Sequence, residues 1–194
     1  MTDRAKRKST RRRGPRKATP DYLRNAALYY LGRYESSAAH LRRLLLAKVD
    51  RSARFHGTER AAGAACVEGL IAGFLEGGLL DDARYAEGRA LVLYRRGNSA
   101  RAIRAGLALK GVDAELIEQA LAKLAAQAAD PELAAALAYA RRRRLGPYRS
   151  PAARPAARER DLASLGRRGF AYALARRVIE ARDTRELEAE AGLA

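Results

Sequence analysis

The chain has 194 residues, and two helix-favouring amino acids, 44 alanines and 26 leucines, supply most of its 48% hydrophobic content. Valine and isoleucine together number only nine, so the composition argues against a sheet-based fold. Lysine and arginine total 39 against 22 acidic residues, which leaves a net charge of +17. No stretch approaches the roughly 18 to 20 apolar residues that a membrane span requires, and no apolar segment follows the basic N-terminus as in a secretory signal.

A single cysteine, Cys66, excludes an internal disulfide and a site built from several thiolates. We therefore expect a reduced, cytoplasmic protein. Residues 1–19 carry nine cations and one acid, with no sizeable apolar residue after Met1, so we predict a disordered basic tail. Such a tail is either a phosphate binder that releases counterions or a solubilising segment without a fixed partner.

The first group of predicted helices begins at Thr19, which can cap a helix that has proline at its first position. Ser36-Ser37 starts the second helix. A polar stretch over residues 50–57 then separates it from a third helix that Thr58 can cap. Gly77-Gly78 ends the third helix, because glycine accepts the left-handed conformation at a helix end.

Six further helices follow the same pattern of caps and stops. Asp81, Ser99 and Asp113 are predicted caps of the fourth, fifth and sixth helices. Asp130-Pro131 starts the seventh helix, which runs into a block of four arginines and a proline-rich loop. Gly169 separates the eighth helix from the ninth. The sequence therefore predicts nine helices in three groups of three.

A repeat relates the second and third groups. Lys110-Gly111-Val112 matches Arg168-Gly169-Phe170, which lies 58 residues later. We therefore predict an all-α fold of three tandem three-helix repeats that form an elongated, curved molecule, because small modules that stack on their neighbours give such shapes. The predicted boundaries are 1–19 for the tail, 20–77, 78–129 and 130–182 for the repeats, and 183–194 for a C-terminal tail.

The motifs of an enzyme are missing from the sequence. No glycine-rich phosphate loop ending in Gly-Lys-Ser/Thr is present. His40 is expected on a helix surface and Cys66 as a small buried thiol. Asp81-Asp82 fits a helix cap better than a catalytic pair, because adjacent residues of a helix do not face each other. We expect no catalysis, cofactor or metal; a metal-dependent nuclease, which needs clustered carboxylates, is the remaining enzymatic alternative.

Binding chemistry is better represented than catalysis. Arginines and lysines around the predicted helix ends could form an electropositive surface for DNA phosphates or for acidic patches on a protein. For the block at 141–144 the alternative is a favourable interaction with the helix dipole. Tyr29-Tyr30, Tyr85 and Tyr94 fall inside helices, where core packing is expected and base stacking is the alternative. The candidate surface residues are Arg95, Arg96, Arg101, Arg104, Lys110, Arg141, Arg144, Arg167 and Arg168.

The order and spacing of these motifs, from about Ala27 to Ile179, resemble the RecX family of bacterial regulatory proteins. The chain departs from the family pattern at Ala38-Ala39-His40, where a basic residue and a glutamate are usual. It departs again at Lys48-Val49, which replaces a Lys-Gly pair, and residues 51–59 look inserted. The segments that carry the resemblance are Ala27–Leu31 with Ser36-Ser37, Gly78–Ala86, Arg95–Gly97, Lys110–Asp113 and Arg167–Phe170.

The resemblance implies a non-catalytic regulator of the RecA recombinase. Such proteins bind in the groove of the recombinase filament on single-stranded DNA and limit its growth, ATP hydrolysis and strand exchange. They thereby damp homologous recombination and the SOS response to DNA damage. We accordingly expect a cytoplasmic monomer without a cofactor, whose partners are a RecA-type filament and single- or double-stranded DNA. The alternative is a sequence-independent nucleic-acid-binding protein that acts through its basic surface alone.

Overall fold

The computed structural model of the chain describes residues 14–193, and within that range it contains ten α-helices, two short 3₁₀ turns and no strand. The predicted all-α fold is confirmed, but the prediction of nine helices is wrong, because a tenth occupies the predicted C-terminal tail. The helices are α1 Pro20–Leu31, α2 Ala38–His56, α3 Arg60–Glu76, α4 Asp82–Arg95, α5 Ala100–Leu109, α6 Ala114–Ala125, α7 Pro131–Arg143, α8 Arg154–Arg167, α9 Tyr172–Glu180 and α10 Arg185–Glu190.

Most predicted helix starts are confirmed by side-chain caps. In each case a side-chain oxygen accepts a hydrogen bond from a backbone N–H in the first turn, which satisfies a donor that the helix itself cannot satisfy. The residues that cap in this way are Thr19, Ser37, Asp81, Ser99, Asp113 and Asp130.

Thr58 does not cap α3 as predicted. The polar stretch before it is helical as far as His56, and α3 begins after Glu59, whose side chain makes no cap bond. Thr58 instead shares a hydrogen bond of 2.9 Å with Ser52 on α2. Residues 51–56, which belong to the segment that looks inserted in the sequence, therefore lengthen α2. A polar composition alone does not end a helix, and α2 ends only at Gly57.

Three buried clusters lie along the chain, one for each group of three helices, and we call α1–α3, α4–α6 and α7–α9 the first, second and third modules. Helix packing between modules joins α4 to α7, and within residues 14–193 no extensive packing joins the first module to the third. Representative buried residues are Leu41, Leu45 and Val67 in the first module, Ile103, Leu107 and Ile117 in the second, and Leu137, Leu165 and Val178 in the third.

Both chain ends contribute to the modules more than predicted. Residues 1–13 lie outside the described residues. Residues 14–18 pack on α2, where the Ala18 N–H donates to Ser52 Oγ at 2.9 Å and His56 Nε2 lies 2.6 Å from the Pro15 carbonyl oxygen. At the other end, Leu187 of α10 is buried in the third cluster. The described parts of both segments therefore pack on the modules: polar contacts attach residues 14–18 to α2, and Leu187 anchors α10.

The repeated glycine motif has the same geometry in both modules. Gly111 has φ +76° and Gly169 has φ +91°, a region that favours glycine because it lacks a Cβ. The following residues, Val112 and Phe170, are buried, and each N–H donates to the carbonyl five residues earlier. These contacts form the hydrogen-bonded C-terminal motif that commonly ends helices, so the sequence repeat is also a structural one.

The burial of Cys66 differs from the prediction. Cys66 is only partly buried against the first cluster, rather than buried as predicted, because it lies beside the contact face of α3. Among the helices of residues 14–193, none is long and apolar enough to cross a membrane.

Candidate functional site

The first and second modules meet at a pair of polar contacts that we call the first joint, formed by residues 36–43 and 109–111 with Asp82. Ser37 Oγ donates to the Lys110 carbonyl oxygen at 2.6 Å while accepting from the N–H of His40. The neighbouring Ala38 N–H donates to Asp82 Oδ1 at 2.8 Å. The start of α2 is thus held by the glycine-motif loop and by the first residue of α4.

The second and third modules meet in the same way at the second joint, formed by residues 95–102 and 167–169 with Glu132. Ser99 Oγ donates to the Arg168 carbonyl oxygen at 2.8 Å and accepts from the Ala102 N–H. The Ala100 N–H donates to Glu132 Oε2 at 3.1 Å. The backbone of the repeated motif therefore has a structural role, since it connects each module to the one before it.

Asp81 and Asp82, which follow each other in the sequence, have separate structural roles. Asp81 Oδ1 accepts from the Arg84 N–H at 2.9 Å and caps α4, as predicted. Asp82 reaches across the first joint instead. Each carboxylate accepts a hydrogen bond from a backbone N–H, which is the arrangement of structural rather than paired catalytic carboxylates.

The second joint gathers five of the nine predicted surface residues. Four of these arginines have exposed side chains at the ends of α4 and α8 and in the first turn of α5, while the fifth is half-buried between the modules. That fifth residue, Arg168, donates to Asn98 Oδ1 at 2.9 Å, and its guanidinium lies 4.9 Å from the centroid of the Tyr139 ring. The five residues are Arg95, Arg96, Arg101, Arg167 and Arg168.

The pKa of Tyr139 reflects the hydrogen bonds and charges that surround its phenol. Burial by itself raises the pKa of the Tyr139 phenol, but hydrogen bonds to Ser164 and Arg168 and the charges of Arg168 and Arg143 more than offset it, so the pKa lies below the ordinary tyrosine value. Arg142 adds a second guanidinium 5.7 Å from the ring centroid. The Tyr139 ring therefore lies against two guanidinium groups, and contacts between a guanidinium and a ring face are attractive.

The other four predicted residues lie elsewhere. Arg104 makes two hydrogen bonds, of 2.6 and 2.9 Å, with Glu118 of α6. Arg141 lies 2.5 Å from Glu188 of α10. Lys110 belongs to the first joint through its carbonyl group. Arg144 ends α7 in the left-handed conformation, at φ +53°, where its side chain is exposed.

Sequence reasoning missed an aromatic surface at the first joint. Tyr29 and Tyr34 are 65% and 58% exposed, so the prediction that Tyr29 packs in the core is wrong. The rings of Tyr34 and Tyr30 lie 5.2 Å apart between centroids, and Tyr30 lies 6.2 Å from the His40 ring. We call Tyr34, Tyr30 and His40 the aromatic strip. The missed signal was the position of these rings within seven residues of Ser37, which pairs with Lys110.

Basic groups flank the aromatic strip. Arg43 Nη2 lies 3.5 Å from His40 Nδ1 and donates to the Leu109 carbonyl oxygen at 2.9 Å. Burial, followed by the charges of Lys110 and Arg43, lowers the pKa of His40 below its ordinary value. The charged form of the imidazole is therefore disfavoured, and the ring lies beside the Arg43 guanidinium.

Comparison with known proteins agrees with this architecture. The family model described as RecX, second three-helix domain, matches residues 81–121, which span most of the second module. A curated relative, "Regulatory protein RecX" of Myxococcus xanthus (strain DK1622), is 45% identical over 167 residues, which cover 86% of this chain and 88% of the relative. No solved structure matches significantly. The second module of the fold coincides with the three-helix domain of RecX regulatory proteins that this family model describes. The chain belongs to the RecX family.

Proposed function

We propose that this chain is a RecX-type regulator that binds a RecA-type recombinase filament on single-stranded DNA in the cytoplasm. By binding, it attenuates filament growth, ATP hydrolysis and strand exchange, and so damps homologous recombination and the SOS response. The observation that carries this proposal is the second joint, where hydrogen bonds join two modules at a segment that includes five arginines. Family membership supplies the recombinase as the expected partner.

The second joint has the properties that an interaction surface needs. Its exposed arginines extend from helix ends whose backbone is held by Ser99 and by Asn98, which are 0% and 7% exposed. Because the contacts fix the backbone of the two modules at this point, only the arginine side chains have to be ordered on binding. Arginine also suits such a role, since its planar fork pairs with carboxylates and phosphates in bidentate geometry.

We propose further that the chain acts as a monomer and not as an enzyme. Within residues 14–193, the third module lacks the serine that would join a fourth. Its helix α8 begins after Ala153, which makes no side-chain cap bond and stands where Ser37 and Ser99 stand in the earlier modules. At the opposite end, residues 14–18 cover part of α2. Both ends of the stack therefore favour a closed unit over head-to-tail association.

A second candidate function is sequence-independent binding of nucleic acid, favoured by the net charge of +17. In that case the protein would affect a recombinase only by competing for DNA. Its affinity for naked DNA would then fall steeply with salt, in proportion to the phosphates that the protein neutralises.

The test is ATP hydrolysis by a preformed recombinase filament on single-stranded DNA, with excess DNA in every reaction. The filament is titrated with the full-length protein and with a variant that lacks residues 1–13, since residues 14–18 belong to the first module. We expect both proteins to suppress hydrolysis below one copy per recombinase subunit. Unchanged hydrolysis at stoichiometric levels would overturn the proposal, whereas rescue of the rate by added DNA would establish the second candidate instead.

A joint variant shows whether the arginines mediate the effect. Arg96→Ala with Arg101→Ala removes two exposed cations of the second joint, and we expect at least about a fivefold loss of potency, the effect of losing roughly 1 kcal/mol of binding. Arg104→Ala is the matched control, because this arginine of α5 is paired with Glu118. Because Arg104→Ala removes one charge and the joint variant removes two, the same loss per charge in both would mean that net charge, rather than the joint, determines inhibition.

A further inference from the structure

A cavity of about 320 Å³ lies beside the first joint, where the end of α1 and the segment before α2 meet the start of α4. Three large apolar side chains that line it are open to solvent: Leu28 is 41% exposed, Tyr34 58% and Leu79 45%. Large apolar side chains gathered around a concave surface are typical of interaction sites. The chain leaves these side chains uncovered, so the cavity is a candidate for such a site.

Two carboxylates line the same cavity. Glu35 and Asp81 are both exposed, and among residues 14–193 neither forms an ion pair. Asp81 uses Oδ1 to cap α4, which leaves its other oxygen available. Arg84 is the only cation among the described lining residues, and it pairs with neither carboxylate. The lining is therefore acidic, whereas the chain as a whole has a net charge of +17.

The cavity also contains the hydroxyl group of a buried tyrosine. Tyr85 is 8% exposed and lines the cavity, yet within residues 14–193 its phenol has no hydrogen-bond partner. Every fully buried side-chain nitrogen or oxygen of the described chain does have a partner, so the Tyr85 hydroxyl is accessible, and the cavity is where this side chain reaches the surface. A polar group that is largely buried and that the chain itself does not satisfy is an expected contact for a ligand.

A second cavity, of about 340 Å³, continues the first along α4. Glu35 and Arg84 line both cavities. Gly88 makes room for this connection, because Glu35 Oε2 lies 3.9 Å from the position that a Cβ of this glycine would occupy. Glu87 and Lys123 line the second cavity and pair with each other, so they add no net charge. The two cavities together form a groove that suits a segment of extended chain, and we call it the acidic groove.

We propose that the acidic groove binds a partner protein through a short segment in which an arginine or a lysine stands next to a large apolar residue. The cation of this segment would pair with the carboxylates of Glu35 and Asp81. Its apolar side chain would pack against Leu28 and Leu79, and the Tyr85 hydroxyl would donate to one of its backbone carbonyls. Charge-assisted hydrogen bonds and burial of an apolar side chain are both common contacts of protein interfaces.

The chemistry of the acidic groove disfavours other occupants. A nucleic acid fits poorly, because its phosphates would face two carboxylates. A purely apolar ligand would bury the carboxylates and the Tyr85 hydroxyl without partners, which costs free energy. The net charge of +17 opposes a basic segment only weakly, since salt screens charges that lie more than about 8 Å away.

This inference goes beyond the proposed function and does not depend on it. The acidic groove lies between the first and second modules and shares no residue with the second joint, which carries that function. It assigns to the chain a second protein contact, of opposite charge to the first.

The test is binding of the full-length protein to fluorescently labelled peptides, measured by fluorescence polarisation. One peptide has a Leu-Arg-Leu core flanked by glycines, and two comparison peptides have Leu-Glu-Leu and Ala-Arg-Ala at the same place. We expect the Leu-Arg-Leu peptide to bind at least about fivefold more tightly than either comparison peptide, since each lacks one of the two contacts. The net charge of the chain would by itself favour the acidic peptide.

A double variant removes the two charges of the acidic groove with little change in shape. In Glu35→Gln with Asp81→Asn the cap of α4 is kept, because asparagine caps helices as well as aspartate does. We expect this variant to bind the Leu-Arg-Leu peptide about fivefold more weakly. The matched control is Glu186→Gln with Asp183→Asn, which removes the same two charges from exposed positions in and before α10 and should bind like the wild type.

The Tyr85 hydroxyl has a separate test. Tyr85→Phe removes only this group, and we expect peptide binding to weaken by about 2- to 10-fold, as for the loss of one hydrogen bond. The melting temperature should not fall, because the hydroxyl has no partner within residues 14–193. A lower melting temperature with unchanged peptide affinity would show that the hydroxyl serves the fold, and this contact would be wrong.

Several outcomes would overturn the inference. These are equal binding of the three peptides, binding of none of them, or an equal loss in the control variant. A chain that lacks residues 1–13 should bind as the wild type does; tighter binding would mean that this basic segment occupies the acidic groove instead of a partner.

Filament assays separate this inference from the proposed function. The groove variant should inhibit a recombinase filament as the wild type does, and a loss of that inhibition would mean that the acidic groove contacts the filament rather than a further protein. Selective binding of the Leu-Arg-Leu peptide by a wild-type protein that does not inhibit a filament would support this inference and contradict the proposed function.

Discussion

Ser99 Oγ lies 2.8 Å from the carbonyl oxygen of Arg168, which is 69 positions later in the sequence. This hydrogen bond joins the second module to the third. The same oxygen also caps α5. Ser37 and Lys110 form the equivalent bond between the first two modules at 2.6 Å. One serine hydroxyl thus starts a helix and connects a module to the next, so the joint and the local helix form together.

Replacing Ser99 with alanine removes both interactions. We expect Ser99→Ala to lower the free energy of unfolding by about 1 to 2 kcal/mol, because a cap is lost and the Arg168 carbonyl keeps only the Ser99 N–H, at 3.4 Å, as a donor. Chemical denaturation followed by circular dichroism measures the change. Ser150→Ala is the control: this serine is exposed, makes no side-chain cap bond and should be replaceable without effect. An unchanged free energy of unfolding in Ser99→Ala would show that the joint is held by packing alone.

Gly169 is predicted to be irreplaceable for two reasons. Its φ is +91°, and an added Cβ would collide with Ser99 Oγ. We expect Gly169→Ala to destabilise the protein by more than about 1 kcal/mol, since backbone strain and separation of the modules add up. Gly166→Ala, three residues earlier, has open space around it and should be neutral or stabilising in the same thermal melts. Similar melting temperatures for the two variants would contradict this account.

Asp161 of α8 is the buried carboxylate that holds the loop after α7. It is 1% exposed and accepts from the Gly146 N–H at 2.9 Å and from two nitrogens of Arg149. We expect Asp161→Ala to cost about 1 to 3 kcal/mol, because it leaves the buried Gly146 N–H without an acceptor. Glu118→Gln, which breaks an exposed pair with Arg104, should leave the denaturation midpoint unchanged. Equal effects of both changes would show that burial does not set the cost.

Glu188 makes the attachment of α10 dependent on pH. The hydrogen bond from Arg141, followed by that from Tyr148, lowers the pKa of the Glu188 carboxyl below its ordinary value against the opposing effect of burial. A lowered pKa in the folded state means that the contribution is complete above the ordinary glutamate pKa of about 4.3 and is lost as the pH falls further.

The corresponding measurement compares the wild type with Glu188→Gln across the acid range. We expect the wild type to melt at a higher temperature near neutral pH and the difference to shrink as the pH drops below about 4. Glu186→Gln, on the same helix but exposed, should show no such convergence. A difference that stays constant with pH would mean that α10 is held by Leu187 rather than by the carboxylate.

Local features of the fold could be predicted from the sequence to a large degree. Asp81, Asp113 and Asp130 were predictable as caps because a cap depends on one side chain and the N–H groups two or three residues later. The glycine motif at Gly111 and Gly169 was predictable because a left-handed residue at a helix end is a local requirement. Thr58 shows where this reasoning fails, because Ser52 offers its hydroxyl a competing partner.

By itself, the sequence determined the helical class, the three-fold repeat and the family, because each depends on composition or on short motifs at set spacing. Only the tertiary structure decided what those motifs do. It assigned the backbone of Lys110 and Arg168 to the joints, separated Arg104 and Arg141 from the other arginines, and left Tyr34 exposed. The joints and the Arg141–Glu188 pair depend on contacts between residues more than 40 positions apart, and the Arg104–Glu118 pair joins two helices. Such contacts are set by how the helices and modules pack rather than by the pattern within any one helix.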